Sequence, residues 1–461
     1  MQSGGIRRGL WLAAAVAVVA LLGAGLVYVR RTRPISVATG TIAQTLCTEV
    51  FVSHLSAEDV YRETLAPALG SGLVANHVHW SVDHQRQTVI ADWFGRFTST
   101  AVYRGVAGCL LWRDHPASPP APVLTPFAAA WQPAIAGPQI VAPSDPALIR
   151  ALDNEFANPE RHIKAIVVVK NGQLVAERYA PGVGIDTPLL GYSVGRLVIN
   201  ALAGILVGQG RLHLDTPAPI TAWAADHDPR HDITLDNLLR MTSGLAIPES
   251  DSGLDAVSRM LFTEPDMAGF AAQSPVEHKA GEVYAYSSGN TLLVGRLIAD
   301  AVGGTEADVL NFARTALFGP LGMHSVVIET DAIGTPVGST FILASARDWA
   351  CLGLLYLNDG VVAGHRVLPE SWVGYTRRPT LGTDYGAGVF TNAGANGPAK
   401  GRIRAGMAED AFYASGRLGQ RIYILPSQQL VVVRLGVTQS PDFDIVGDLR
   451  LLRELNVALA R

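Results

Sequence analysis

From Leu10 to Val29 every residue is apolar or small, a run of 20 positions with no polar face. That is long enough to cross a bilayer as one helix. Beyond it the pattern changes repeatedly. Ala57 to Leu69 has helical spacing, whereas Val78 to Val82, Gln87 to Phe94 and Ser99 to Trp112 alternate like strands. Residues 115–146 carry nine prolines and predict an extended linker that wraps the neighbouring domain. After it, Ile163 to Val169 and Leu174 to Tyr179 flank Asn171-Gly172, a strong hairpin signal. An apolar helix is expected from Ser193 to about Gly208. Helical and loop segments follow to about Gly360. Alternation returns in Arg421 to Leu425 and Leu430 to Gly436, and a last helix is expected over Asp444 to Leu459.

Strands at both ends with helices between them predict an α+β architecture. One antiparallel sheet is assembled from the two termini of the main domain, beside an all-helical subdomain. The expected organisation is an anchor over residues 1–35, a small α+β module over 36–114, the linker over 115–146 and the main domain over 147–461.

The chain has 461 residues and a net charge of −4, which gives no footing for nucleic acid. Lys164, Lys170, Lys279 and Lys400 are its only lysines. Arginines flank the apolar run on both sides, Arg7 and Arg8 before it and Arg30, Arg31 and Arg33 after it. That slight excess favours a cytoplasmic body by the positive-inside rule. Two cysteines point the other way. Cys47 and Cys109 fall in the small module, where a disulfide is expected and would imply an oxidising compartment; two unrelated buried thiols are the alternative. Cys351 lies in an apolar helical stretch and reads as a core residue.

The candidate chemistry begins at Gly191-Tyr192-Ser193-Val194-Gly195-Arg196, where a serine and a cation stand one helical turn apart. Separated segments accompany it. They include Leu238-Leu239-Arg240-Met241-Thr242-Ser243-Gly244-Leu245, then Tyr284-Ala285-Tyr286-Ser287-Ser288-Gly289-Asn290, and finally Tyr413-Ala414-Ser415-Gly416. In this order and spacing they resemble the serine β-lactamase and penicillin-binding-protein superfamily. The branch is the class C-type one near 6-aminohexanoate-dimer hydrolases and related esterases, and the resemblance covers residues 150 to 460. It implies a serine hydrolase that cleaves a small amide or carboxyl ester through an acyl-enzyme, without cofactor or metal.

Carried over residue by residue, the resemblance implies Ser193 as nucleophile and Tyr286 as general base. Ser288 or Asn290 would bond a substrate amide. Ser415 and Gly416 would form the strand edge, and the N–H groups of Ser193 and Arg417 the oxyanion hole. Two departures stand out. The family's Ser-x-x-Lys reads Ser193-x-x-Arg196, and a guanidinium cannot accept a proton. Arg196 is therefore expected to hold Tyr286 as a phenolate by fixed charge. The Lys-Thr-Gly motif reads Ala414-Ser415-Gly416, which removes a cation and weighs against β-lactams and against wall transpeptidation. A catalytically inactive, anchored protein that binds cell-wall peptides or another ligand is the alternative.

Two other readings are set aside. Gly191 to Gly195 also spells the Gly-x-Ser-x-Gly nucleophile elbow, but no histidine follows His365 to complete a triad. His227, Asp228, His231 and Asp232 are read as a hydrated loop in preference to a metal site. The family resemblance together with the cysteines favours a body outside the cytoplasm. The sequence leaves the oligomeric state open.

Overall fold

The computed structural model describes residues 33–69, 77–112, 120–250, 253–394, 397–439 and 445–460. The expected span over residues 10–29 lies outside these. Among the described residues one helical stretch, Pro34–Val52, is long and apolar enough to cross a membrane, but 83% of its apolar window is buried inside the protein.

That stretch is the core helix of the small module. Helix α1 (Pro34–Cys47) begins on a proline, favoured at a first helical position, and runs on as a wider turn over Thr48–Val52. It packs on a four-stranded antiparallel meander, β1 (Val78–Asp83), β2 (Thr88–Trp93), β3 (Arg96–Tyr103) and β4 (Cys109–Trp112). Ile42 and Leu46 from the helix meet Val89, Ala91 and Ala101 from the sheet. A Cys47–Cys109 disulfide ties the helix to β4. The periodicity did not reveal α1, because Thr39, Thr41, Gln44 and Thr45 interrupt its apolar stripe. Two of these meet buried partners, Thr39 the Ser99 hydroxyl at 2.7 Å and Gln44 the Glu329 carboxylate at 2.7 Å.

Residues 120–144 form no helix or strand and run over the main domain. Backbone N–H groups of Trp131 and Gln132 reach the carbonyl of Pro320, and Leu174 donates to Ile135.

The main domain opens with helix α2 (Pro146–Phe156), capped by Asp145, and the hairpin of β5 (Ile163–Lys170) and β6 (Gln173–Tyr179). Its turn residues Asn171 and Gly172 both have positive φ, 51° and 76°, as a tight two-residue hairpin requires. Helices α3 (Gly195–Gly208), α4 (Ala256–Thr263), α5 (Ser288–Val302) and α6 (Ala346–Leu357) follow. Strands β7 (Phe390–Thr391), β8 (Phe412–Gly416), β9 (Gln420–Leu425) and β10 (Leu430–Gly436) then complete a six-stranded sheet of order β7-β8-β9-β10-β5-β6. Every neighbour pair in it is antiparallel. The closing helix α7 (Ile445–Leu459) packs beside α2.

The unbroken apolar run of β5 follows from this layering. Ala165, Val167 and Val169 face the main core with α6, while Ile166 and Val168 face α2 and α7. Both faces of the strand are dry, so alternation gives way to continuous valine and isoleucine.

Candidate active site

Ser193 sits in the turn Tyr192–Val194 that leads into α3. Tyr192 has φ 47°, an uncommon conformation for a bulky residue, and this sharp turn sets the serine at the mouth of the helix. A two-residue strand, Leu189–Leu190, precedes it and pairs with Ile342–Ala344. The glycines on either side of the serine have a packing reason unrelated to an elbow. A Cβ on Gly191 would lie 2.7 Å from the Trp349 ring, and one on Gly195 would lie 2.6 Å from the carbonyl of Gly338. A Cβ on Gly416 would collide with the carbonyl of Gly191, so the end of β8 and the nucleophile turn are held in direct contact.

Arg196, in the first turn of α3, is 3% exposed. Its Nη1 donates to the carbonyl of Ser339 at 3.1 Å, and its Nη2 donates to Ser288 Oγ at 2.9 Å. Nη2 also lies 3.7 Å from Glu249 Oε2, and Cζ stands 4.3 Å from the Tyr286 ring centroid. Burial pushes its pKa down, but the neighbouring Tyr286, Glu249, Tyr385 and Tyr284 outweigh that, and it stays a cation.

Tyr286 stands near enough to Ser193 for the serine to lower its pKa. Tyr286 is half-buried. Burial raises its pKa, the nearby Arg196 and Ser193 lower it, Glu249 raises it, and the balance is upward. That balance runs against the expected phenolate, because desolvation outweighs a cation that Glu249 partly neutralises.

The two candidates for a substrate amide are also placed differently from expectation. Ser288 is 1% exposed. Its hydroxyl accepts from Arg196 and donates to Glu249 Oε1 at 3.1 Å, while its N–H donates to Glu249 Oε2 at 2.5 Å. Asn290 is 2% exposed, accepts from Ser243 Oγ at 2.6 Å and contacts Met241 Sδ at 3.5 Å. Each is used to hold the site together, and neither lines the cavity over Ser193.

That cavity measures about 280 Å³ and is lined by Tyr192, Ser193, Glu249 and Arg417, among others. Ser193 and Arg417, whose N–H groups are the expected oxyanion donors, thus face one space. Ser415 is half-buried on β8, opposite Arg421 in the register. Three contributors escaped the sequence reading. Glu249 pairs with Arg196. Tyr385, 1% exposed, packs edge-on against Tyr286 with ring centroids 5.7 Å apart. Arg421 donates to the carbonyl of Gly416 at 3.0 Å and is held in turn by buried Asp448 at 3.4 Å. None has a local motif; only the fold brings them in. In the His227 loop, Asp228 pairs with Arg230 at 2.6 Å and His231 Nδ1 meets the carbonyl of Trp223 at 3.2 Å.

The order of these elements and the serine at the head of α3 agree with a sequence profile of the Beta-lactamase family, which matches residues 156–456. The chain belongs to the beta-lactamase family. It is similar to the 6-aminohexanoate-dimer hydrolase of Paenarthrobacter ureafaciens, with 24% identity over 313 residues, covering 64% of this chain and 77% of that protein. Solved structures share the fold. A penicillin-binding-protein homologue from Caulobacter crescentus superposes with a TM-score of 0.55 at 16% identity, covering 69% of this chain and 99% of the other. The hydrolase EstCE1, described as having promiscuous acyltransferase activity, gives 0.51 at 15% identity, covering 67% and 98%. Membership of the beta-lactamase family accounts for the α+β layering and for the serine's place between the sheet and the helical subdomain.

Proposed function

We propose that this protein is a membrane-anchored serine hydrolase that cleaves small amides or carboxyl esters through an acyl-enzyme on Ser193. The observation that carries the reading is the Arg196 guanidinium over the Tyr286 ring, with Ser193 at the head of α3 in the cavity beside Glu249 and Arg417. In the reaction Ser193 Oγ bonds to the substrate carbonyl carbon. Its proton passes to the Tyr286 oxygen as the phenol gives its own to the leaving nitrogen or oxygen. Relay through a neutral phenol needs no free phenolate. The tetrahedral oxygen is held by the N–H groups of Ser193 and Arg417, and Arg196 supplies fixed positive charge. Water then attacks the acyl group, and the reverse relay returns a proton to Ser193. The similarity to a hydrolase of 6-aminohexanoate dimer supports linear amides as substrates. Anchorage through residues 10–29 and a body outside the cytoplasm are supported by the apolar run and by the Cys47–Cys109 disulfide.

The test is turnover of a panel of linear amides and 4-nitrophenyl esters by wild type and Ser193→Ala. Turnover that disappears with Ser193→Ala supports the reading; turnover that survives it assigns the chemistry elsewhere. A second reading, an inactive binding protein, is favoured by one observation: neither Arg196 nor the protonated Tyr286 is a ready proton acceptor. Full stability with no turnover of any panel member would favour it.

A further inference from the structure

The small N-terminal module does more than sit beside the catalytic domain. One stripe of α1 faces the cavity over Ser193. Pro34, Val37, Ala38, Thr41 and Thr45 recur at helical spacing, and all five line it. The opposite stripe, Ile42, Ala43 and Leu46, is committed to the module's own core. Across the cavity stand Val257 and Leu261 of α4 and Phe341. The wall formed by these two helices carries no charge and is apolar apart from the hydroxyls of Thr41, Thr45 and Ser258. The cavity's charged groups, Glu249 and Arg417, come from the main domain, whose site also holds Ser193. Glu249 is already paired with Arg196.

The module is also pinned in place. Glu329 of the main domain, 1% exposed, accepts from Gln44 at 2.7 Å, Thr48 at 2.9 Å and the N–H of Cys109 at 2.8 Å. Arg104 of the module pairs with Glu306 at 2.7 Å. A wall fixed at these points keeps its distance from the serine and so can measure the length of a chain.

We infer that α1 is the specificity wall of the Ser193 site, and that the site takes an uncharged ester or amide whose linear alkyl acyl chain lies against α1. The inference rests on the proposed role of Ser193. Each methylene buried there adds roughly fourfold to binding.

The test compares 4-nitrophenyl hexanoate with the acetate in the full chain. Wild type is expected to prefer the hexanoate by at least about tenfold in kcat/KM. Ala38→Leu and Thr41→Leu, which fill the cavity from two positions, should each bring that ratio toward one. Binding of hexanamide and acetamide to Ser193→Ala, measured by calorimetry, reads the same wall without turnover. A tenfold preference for hexanamide that Ala38→Leu abolishes supports the inference even if no ester is cleaved, which would count only against the proposed chemistry. Equal binding of the two amides, or a chain-length preference that both filling variants leave intact, overturns it.

Discussion

Arg196 Cζ stands 4.3 Å from the ring centroid of Tyr286, and the same guanidinium bonds Ser288 and faces Glu249. A cation that cannot give up its proton has taken the place of one that can, and it is wired to an acid. On the proposed mechanism, the site's reactivity depends on how these charges balance around Tyr286.

Replacing Arg196 separates fixed charge from proton transfer. Arg196→Lys restores a group able to lose its proton, and phosphonate labelling of Ser193 should accelerate by roughly tenfold or more. Arg196→Met removes the charge and should slow labelling by on the order of a hundredfold. Labelling rates by intact mass, with a melting curve for each variant, check both.

Glu249 raises the pKa of Tyr286. Glu249→Gln keeps an oxygen to accept from Ser288 while removing the negative charge, so the tyrosine loses its proton more readily. The rise of labelling rate with pH should therefore occur at lower pH than in wild type, and the variant should be the faster at pH ~8. A pH–rate profile of both proteins is the check.

The site was legible in part from the sequence. Ser193, Tyr286 and Gly416 stand in short segments whose order marks the family. The hairpin at Asn171-Gly172 and the closing strands were legible because turn chemistry and alternation are local. Helix α1 was not, since its polar residues find their partners in Ser99 and in Glu329, the latter far away in the chain. The protonation of Tyr286 was not legible either. It depends on burial and on Glu249, 37 residues earlier, and neither appears in a motif.

Glu329 ties module to domain, and burial raises its pKa from 4.5 to about 8, against the bonds from Cys109, Thr48 and Gln44 and the charge of Arg104. A folded pKa above the unfolded one means that this stability is fully present below pH ~4.5 and is lost as pH rises through about 8. Between pH ~6 and ~9 the loss should be roughly 2–3 kcal/mol. Glu329→Gln should flatten that slope, read as denaturant midpoint against pH.

Asp448 is fully buried and faces Arg161 at 3.1 Å, Arg421 at 3.4 Å and Arg434 at 3.6 Å. Asp448→Asn leaves three buried guanidinium groups with Glu155, the partner of Arg161, as the remaining buried acid. The cost should be about 3–5 kcal/mol in urea unfolding. Because Arg421 also fixes the carbonyl of Gly416, labelling of Ser193 should slow as well.

The central claim is that Ser193 is an activated nucleophile although no lysine stands beside it. The direct measurement is the intact mass of the protein after incubation with a serine-reactive phosphonate, beside Ser193→Ala. One adduct per chain on wild type and none on the variant is the predicted result. An unmodified wild type that is folded, or an adduct that persists in Ser193→Ala, would contradict it.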